Sequence, residues 1–390
     1  MIPVKIKLPL YIRNGAGTSF SKIGIAQASG KVIMMNGVEM GQTWKGRDQW
    51  YFKVNDKQEK QWYWSGRVEE VSVKEDLIKF DPAKMSWAHD SVANGGLGII
   101  ELWNSMGVRG EGVSVAILDT GIIAHDDFTR DGSSIIKGNF FINGLSDIID
   151  RVGHGTQCAG ILAGTGNKFV HGIAPAIDLY VVKISAFGAI SDNGDEILEG
   201  LKLLQNSQQK MDIISISYNY SKKNLELENL IDTLSKESFV IAALNHSINN
   251  STTVNDEQFP ADIPNVIPIA AYARFQAPRI IPAQVLRTKI NWLFPGKDIQ
   301  TISKDGLKSF GQNTSIATPI ASGVFALFLS YMKKKGLPIN SANRILLSEL
   351  LSMNVLQDIT VDAGDTKLSI SVCNCNPHQS FILFDNILKT

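Results

Sequence analysis

The 390 residues carry 38 basic and 38 acidic side chains, with 44% hydrophobic and 19% charged residues, a composition that suits one large globular domain plus a small one. A formal charge of zero gives no electrostatic ground for nucleic acid as a partner, and no run of 18 apolar residues predicts a membrane span. Three cysteines (Cys158, Cys373, Cys375) are too few for a disulfide framework, and no basic stretch followed by an apolar one opens the chain, so cytoplasmic residence is the expectation, with secretion left open for a trimmed chain.

Residues 1–74 hold 12 Lys and Arg against 6 Asp and Glu, whereas the remainder holds 26 against 32. Four of the seven Trp (Trp44, Trp50, Trp62, Trp64) also fall in that first fifth. This shift in composition sets a domain boundary near residue 74, with 75–95 as a linker and 96–390 as the second domain. Runs at 9–13, 22–25, 31–35, 50–54 and 61–64 are rich in aromatic and β-branched residues, and Asn14-Gly15 and Gly15-Ala16-Gly17 supply turns, so strands are predicted. The segment Leu10-Tyr11-Ile12-Arg13-Asn14-Gly15-Ala16-Gly17-Thr18-Ser19-Phe20, followed by Trp50-Tyr51-Phe52-Lys53-Val54 and Trp62-Tyr63-Trp64-Ser65-Gly66, resembles the opening of a bacterial SH3-like domain. The resemblance implies a small β-barrel whose rings either fill its core or form a groove for a peptide ligand.

Past the linker, Ile99-Ile100-Glu101-Leu102-Trp103 gives a lead-in helix its apolar face, and Gly110-Glu111-Gly112 turns the chain into a strand at 113–118. That strand is continuously apolar and runs into Asp119, the pattern of a buried parallel strand with a site at its carboxyl end. Further apolar runs at 179–184, 213–217, 239–243 and 266–271 alternate with helical stretches at 155–164, 195–205, 225–237 and 315–331. The alternation predicts an α/β three-layer sandwich with a mainly parallel sheet, preceded by the small all-β SH3-like barrel.

Three of these elements each set one reactive residue in a frame of small residues: Val115-Ala116-Ile117-Leu118-Asp119-Thr120-Gly121, Gly153-His154-Gly155-Thr156, and Asn313-Thr314-Ser315-Ile316-Ala317-Thr318-Pro319. An Asp, a His and a Ser are the parts of an activated hydroxyl nucleophile. The imidazole takes the hydroxyl proton, and the carboxylate fixes the imidazole tautomer. Asp119 precedes His154 by 35 residues and Ser315 by 196, against about 32 and about 189 in subtilisin. Asn245 follows His154 by 91 residues, at the end of an apolar run, where that enzyme has its oxyanion Asn. With the four motifs in this order, residues 90–390 resemble the subtilisin-like (subtilase) serine peptidases.

The resemblance implies a serine endopeptidase acting on protein or peptide substrates, with Asp119, His154 and Ser315 as triad and with Asn245 and the Ser315 N–H as oxyanion donors. No metal or other cofactor is required; calcium is admitted at Asp127 and the Gly164-Thr165-Gly166-Asn167 loop, where carboxylates are few. Ser217, Tyr218, Asn219, Ala243 and Leu244 stand where the family binds substrate. Asn219, Tyr220, Leu244 and Asn313 replace its usual glycines, and bulk near the cleavage site predicts narrow specificity. Cys158, one turn after His154, is expected to pack in the core, and Cys373-Asn374-Cys375 to form a loop. His89, His125, His171, His246 and His378 are expected at the surface or in turns, with lining of the site beside Asn245 as the alternative for His246. Residues 380–388 either resemble the closing strand and helix start of the family, which would make 361–376 an insertion, or form a terminal apolar segment that covers an edge of the core. The competing class is a non-catalytic scaffold that captures a peptide with its barrel.

Overall fold

The computed structural model describes residues 2–26, 33–35, 37–55, 59–70, 81–244, 258–274, 291–352, 356–363, 366–374 and 376–387. The chain divides into two compact units, Met1–Phe80 and Asp81–Thr390.

The first unit is all-β. Ile33–Met35, Ile2–Ile6 and Val68–Glu70 make a three-stranded antiparallel sheet. Lys22–Ala26, Leu10–Arg13, Lys60–Trp64, Arg47–Val54 and Gly37–Trp44 make a five-stranded one. Successive side chains of a strand point to opposite faces. Tyr51 and Tyr63 accordingly pack with Ile6, Leu10, Met35 and Val68, whereas their neighbours Trp50, Trp62 and Trp64 form a separate buried cluster. Most of the rings are therefore core. Tyr11 stays 47% exposed and Trp44 half-buried, and with Arg13, Trp50, Trp64 and Arg67 they line a groove of about 260 Å³.

In the second unit nine strands make one sheet: β1 (Ser114–Asp119), β2 (Ile136–Phe141), β3 (Asp178–Lys183), β4 (Ile213–Ile216), β5 (Phe239–Ala243), β6 (Val266–Tyr272), β7 (Asn291–Pro295), β8 (Leu356–Ala363) and β9 (Thr366–Asn374). Their order in space is β2-β3-β1-β4-β5-β6-β7-β9-β8, and every pairing is parallel except the β8–β9 hairpin at the edge. The described helices are α1 (Ile99–Met106), α2 (His154–Ala163), α3 (Asp195–Asn206), α4 (Leu225–Ser235), α5 (Thr314–Lys334), α6 (Ser341–Ser352) and α7 (Pro377–Ile387).

β1 alternates between two buried faces, which is why it reads as an unbroken apolar run. Ala116 and Leu118 pack with Ile197 and Leu201 of α3 and Leu227 and Ile231 of α4. On the other face lie α2 and α5, where Ser322 of α5 donates to the Ser215 hydroxyl of β4 at 2.9 Å. The two faces make the expected α/β layering. By length and composition α5 passes for a membrane span, yet from Ile316 to Met332 every residue is buried within the unit, so its all-round apolarity is that of a core helix.

Sequence and structure differ at several points of the fold. Residues 81–95, expected as the end of a linker, fold with the second unit: Trp87 Nε1 donates to the Lys297 carbonyl (2.8 Å), Gln300 Nε2 to that of Ala83 (2.9 Å), and Arg274 pairs with Asp90 at 2.6 Å. Residues 71–80 lie outside the described part. The closing strand expected from residue 380 is instead the helix α7, because Phe381 and Phe384, three residues apart, share one helical face and pack on Tyr331. Finally, Cys373 and Asn374 end strand β9 rather than forming a loop, and Cys375 is outside the described residues. His89 does sit in a turn, but it is 1% exposed.

Candidate active site

Asp119 is the last residue of the central strand β1 and is 1% exposed. His154 is the first residue of α2. The two motifs meet through their glycines. Gly121 holds φ +106°, and a Cβ there would come within 2.1 Å of the Ile148 carbonyl. A Cβ on Gly155 would come within 2.2 Å of the Gly121 carbonyl. This close approach lets His154 Nδ1 donate to Asp119 Oδ1 at 2.8 Å, and Thr120 N–H donates to the same oxygen at 2.8 Å. Burial is the largest influence on the His154 ring and opposes its charge, but the Asp119 carboxylate and the Cys158 sulfur, with their hydrogen bonds to the ring, together outweigh it, and the imidazole pKa is held well above its ordinary value of 6.5. With Nδ1 committed to Asp119, Nε2 is the nitrogen left to take a proton.

Ser315 is half-buried in the first turn of α5, where backbone N–H groups have no intrahelical partner. The helix has a second irregularity. Pro319 stands four residues on and has no N–H to give the Ser315 carbonyl. That carbonyl accepts instead from the Ser217 hydroxyl at 2.9 Å, with the Cys158 thiol 3.5 Å away. Cys158 Sγ is also 3.9 Å from His154 Nδ1, so α2, α5 and the end of β4 converge on one point. Burial raises the Cys158 pKa and keeps the thiol protonated. The ligand atoms of Asp119, His154 and Cys158 lie within 4.8 Å of one another, with Asp119 Oδ1 and His154 Nδ1 already hydrogen-bonded to each other.

β4 and β5 are hydrogen-bonded as far as Ile216 and Ala242 and then part. Past that point Ser217, Tyr218 and Asn219 follow β4, and Ala243 and Leu244, both buried, follow on the β5 side. The Tyr218 ring stands edge-on to His154 at 5.7 Å. Asn219 Nδ2 donates across the gap to the Ala243 carbonyl at 2.5 Å. Leu244 is fully buried, and its carbonyl accepts from the Thr314 hydroxyl at 2.6 Å, which ties this wall to the turn before Ser315. The Ser217 hydroxyl, expected to face substrate, is turned to the Ser315 carbonyl. Asn245 and His246 lie outside the described residues.

The place where calcium was admitted does not suit a cation. Asp127 is fully buried, and its oxygens accept N–H groups of Lys168 (2.6 Å), Phe169 (2.8 Å) and Val170 (3.1 Å). Lys84 Nζ occupies the Gly166 carbonyl at 2.9 Å, and the Asn167 side-chain N–H₂ donates to the carbonyls of Asp126 and Thr129. Backbone donors take the carboxylate oxygens and an ammonium takes the Gly166 carbonyl, where calcium needs six or more oxygens. Sequence reasoning passed over two residues beside the site, Asp150 and Thr120. Their signal was there: an acidic residue just ahead of a helix start, and a hydroxyl next to the strand-end Asp.

The family model described as the subtilase family (Peptidase_S8) matches residues 110–366. The chain is similar to alkaline elastase YaB of Bacillus sp. (strain YaB), 33% identical over 57% of this chain and 56% of that protein, so it spans little more than half the length of this relative. It is also similar to the major intracellular serine protease of Bacillus subtilis (strain 168), 28% identical over 68% of this chain and 82% of the relative. Among solved structures, that of the prenylagaramide maturation protease PagA shares the fold, with a TM-score of 0.53 and 24% identity over 69% of this chain and 91% of that one.

Proposed function

This chain belongs to the subtilase family, and from that premise we propose that it is a serine endopeptidase working through Asp119, His154 and Ser315. The observation that carries the proposal is the 2.8 Å bond from His154 Nδ1 to the buried Asp119, on an imidazole whose helix shares Cys158 with the Ser315 carbonyl. His154 Nε2 takes the Ser315 hydroxyl proton as Oγ attacks the peptide carbonyl carbon. The tetrahedral oxyanion is held by the Ser315 N–H and the Asn245 amide. His154 then passes its proton to the departing amine as the C–N bond breaks, and a water molecule, deprotonated in the same way, releases the acyl group. An oxyanion donor of this kind contributes about 3 to 4 kcal/mol to the transition state. Asp119 keeps Nδ1 protonated and stabilises the transient imidazolium.

A substrate strand enters the crevice between Ser217–Asn219 and Ala243–Leu244, and the Asn219 bridge restricts the side chain next to the scissile bond. For the first unit we infer an SH3-like module that takes a peptide ligand in the groove of Tyr11, Trp44 and Trp64. Its support is the two antiparallel sheets and the aromatic lining. Saturable changes in Trp fluorescence on adding peptides, lost in Trp44→Ala, are the expected result, and a flat titration across a diverse peptide library removes the module's binding role.

Activity is tested with a fluorophosphonate probe. The folded protein is expected to take up one label at Ser315, and Ser315→Ala none. An unlabelled, correctly folded wild type that leaves a peptide library intact would return the chain to the scaffold class.

A further inference from the structure

We propose that Asp150 is a positioning residue that clamps the turn bearing Asp119 to the start of the helix bearing His154; the inference rests on the triad reading above. The Asp150 carboxylate is 2% exposed, and among the described residues no cation pairs with it. It is nonetheless saturated. Oδ1 accepts the Thr120 hydroxyl (2.8 Å) and the N–H groups of Val152 (3.0 Å) and Gly153 (2.7 Å). Oδ2 accepts both the N–H and the hydroxyl of Thr156 at 2.8 Å. Thr120 passes the connection on, since its hydroxyl oxygen accepts the Gly155 N–H at 2.9 Å.

These contacts span three pieces of backbone. Thr120 directly follows Asp119. Val152 and Gly153 lead into His154, and Gly155 and Thr156 follow it in the first turn of α2. One anion therefore fixes the residues on both sides of His154 to the residue beside Asp119, without touching either ring or carboxylate. A buried carboxylate is costly unless hydrogen-bonded, and here the helix N-terminus and five donors offset that cost. Every group aimed at Asp150 is a donor, so an amide in its place would set its own N–H₂ against other N–H groups. Proton transfer between Ser315 and His154 requires reactants held near their attack geometry, which a sub-ångström shift of the α2 start would spoil.

The titratable groups facing His154 are Asp119, Cys158 and Tyr218. Asp150 acts on it through Thr120 and the helix backbone. Loosening the clamp weakens the Asp119–His154 bond, and with it the support that raises the imidazole pKa.

The test compares wild type, Asp150→Asn and Thr120→Val on a peptide amide that wild type cleaves, each confirmed as folded by circular dichroism. In Asp150→Asn, kcat is expected to fall by about tenfold or more with KM within about twofold, and the acid limb of kcat/KM to move to lower pH. Thr120→Val keeps the Asp150 charge but removes the hydroxyl that links Asp150 to the Gly155 N–H and that also lies 3.3 Å from Asp119 Oδ1, so the same two changes are expected there, and the double variant adds little to the single ones. A folded Asp150→Asn with kcat within about threefold of wild type and an unmoved acid limb overturns the inference, whatever its melting temperature. Should Asp150→Asn fail to fold, Thr120→Val decides by the same readouts. Wild-type cleavage and Ser315 labelling are the control: if they fail, the triad reading falls rather than the clamp.

Discussion

At the scale of single residues, local rules are broken where the site needs them broken. Asn313, two residues before Ser315, holds φ +96°, a backbone conformation natural to glycine and strained for any L side chain. Asn219 spends its amide on the Ala243 carbonyl, on the path proposed for the substrate. In Asn219→Gly the gap opens and that carbonyl is freed for a substrate N–H. Relative kcat/KM for peptides with a bulky residue before the scissile bond over those with a small one is expected to rise by about tenfold or more, the scale on which pocket size discriminates. An unchanged ratio would show that Asn219 does not bound the specificity site. The residues themselves were visible in the sequence as departures from a glycine pattern. The direction of each side chain was not, because the Asn219–Ala243 and Ser217–Ser315 contacts join positions 24 and 98 residues apart.

At the scale of elements, the site is made by three ends: the carboxyl end of β1, the amino terminus of α2 and the first turn of α5. Each is a place where backbone groups lack partners within their own element. Pro319 extends this into the helix, freeing the Ser315 carbonyl for Ser217 and so coupling α5 to the end of β4. Periodicity showed these elements well, since buried parallel strands and amphipathic helices have different repeats. It missed β2, whose Ile136-Lys137-Gly138-Asn139-Phe140-Phe141 at the sheet edge carries a Gly and polar residues, and it misread α7, where a short apolar run fits strand or helix equally.

At the scale of the whole molecule, burial sets a pH limit on stability. Burial holds the His89 ring neutral in the second unit and lowers its pKa to about 4, outweighing its bonds to the Gly172 and Ser86 carbonyls. His171, across Trp103, is lowered by burial too. An unfolded imidazole binds its proton near 6.5. Between that value and about 4 the unfolded chain therefore holds more protons than the native one, and stability falls as the pH drops through this window. For His89 the full loss is on the order of 3 kcal/mol. Denaturant unfolding at neutral and at mildly acid pH is expected to show a smaller loss in His89→Gln, which cannot take the proton, than in wild type; equal losses would place the acid sensitivity elsewhere.

The sequence by itself determined the family and the α/β layering, and it singled out Asp119, His154 and Ser315 as the proposed triad. These follow from residue type, order and local period, which are properties of a chain read in one dimension. Only the tertiary structure decided that residues 81–95 fold with the second unit, that Asp127 is bound by backbone donors rather than arranged for calcium, and that Asp150 ties the first two motifs together. The physical reason is the same in each case. A buried polar group must be satisfied, but which partner satisfies it depends on segments that only folding brings within about 3 Å.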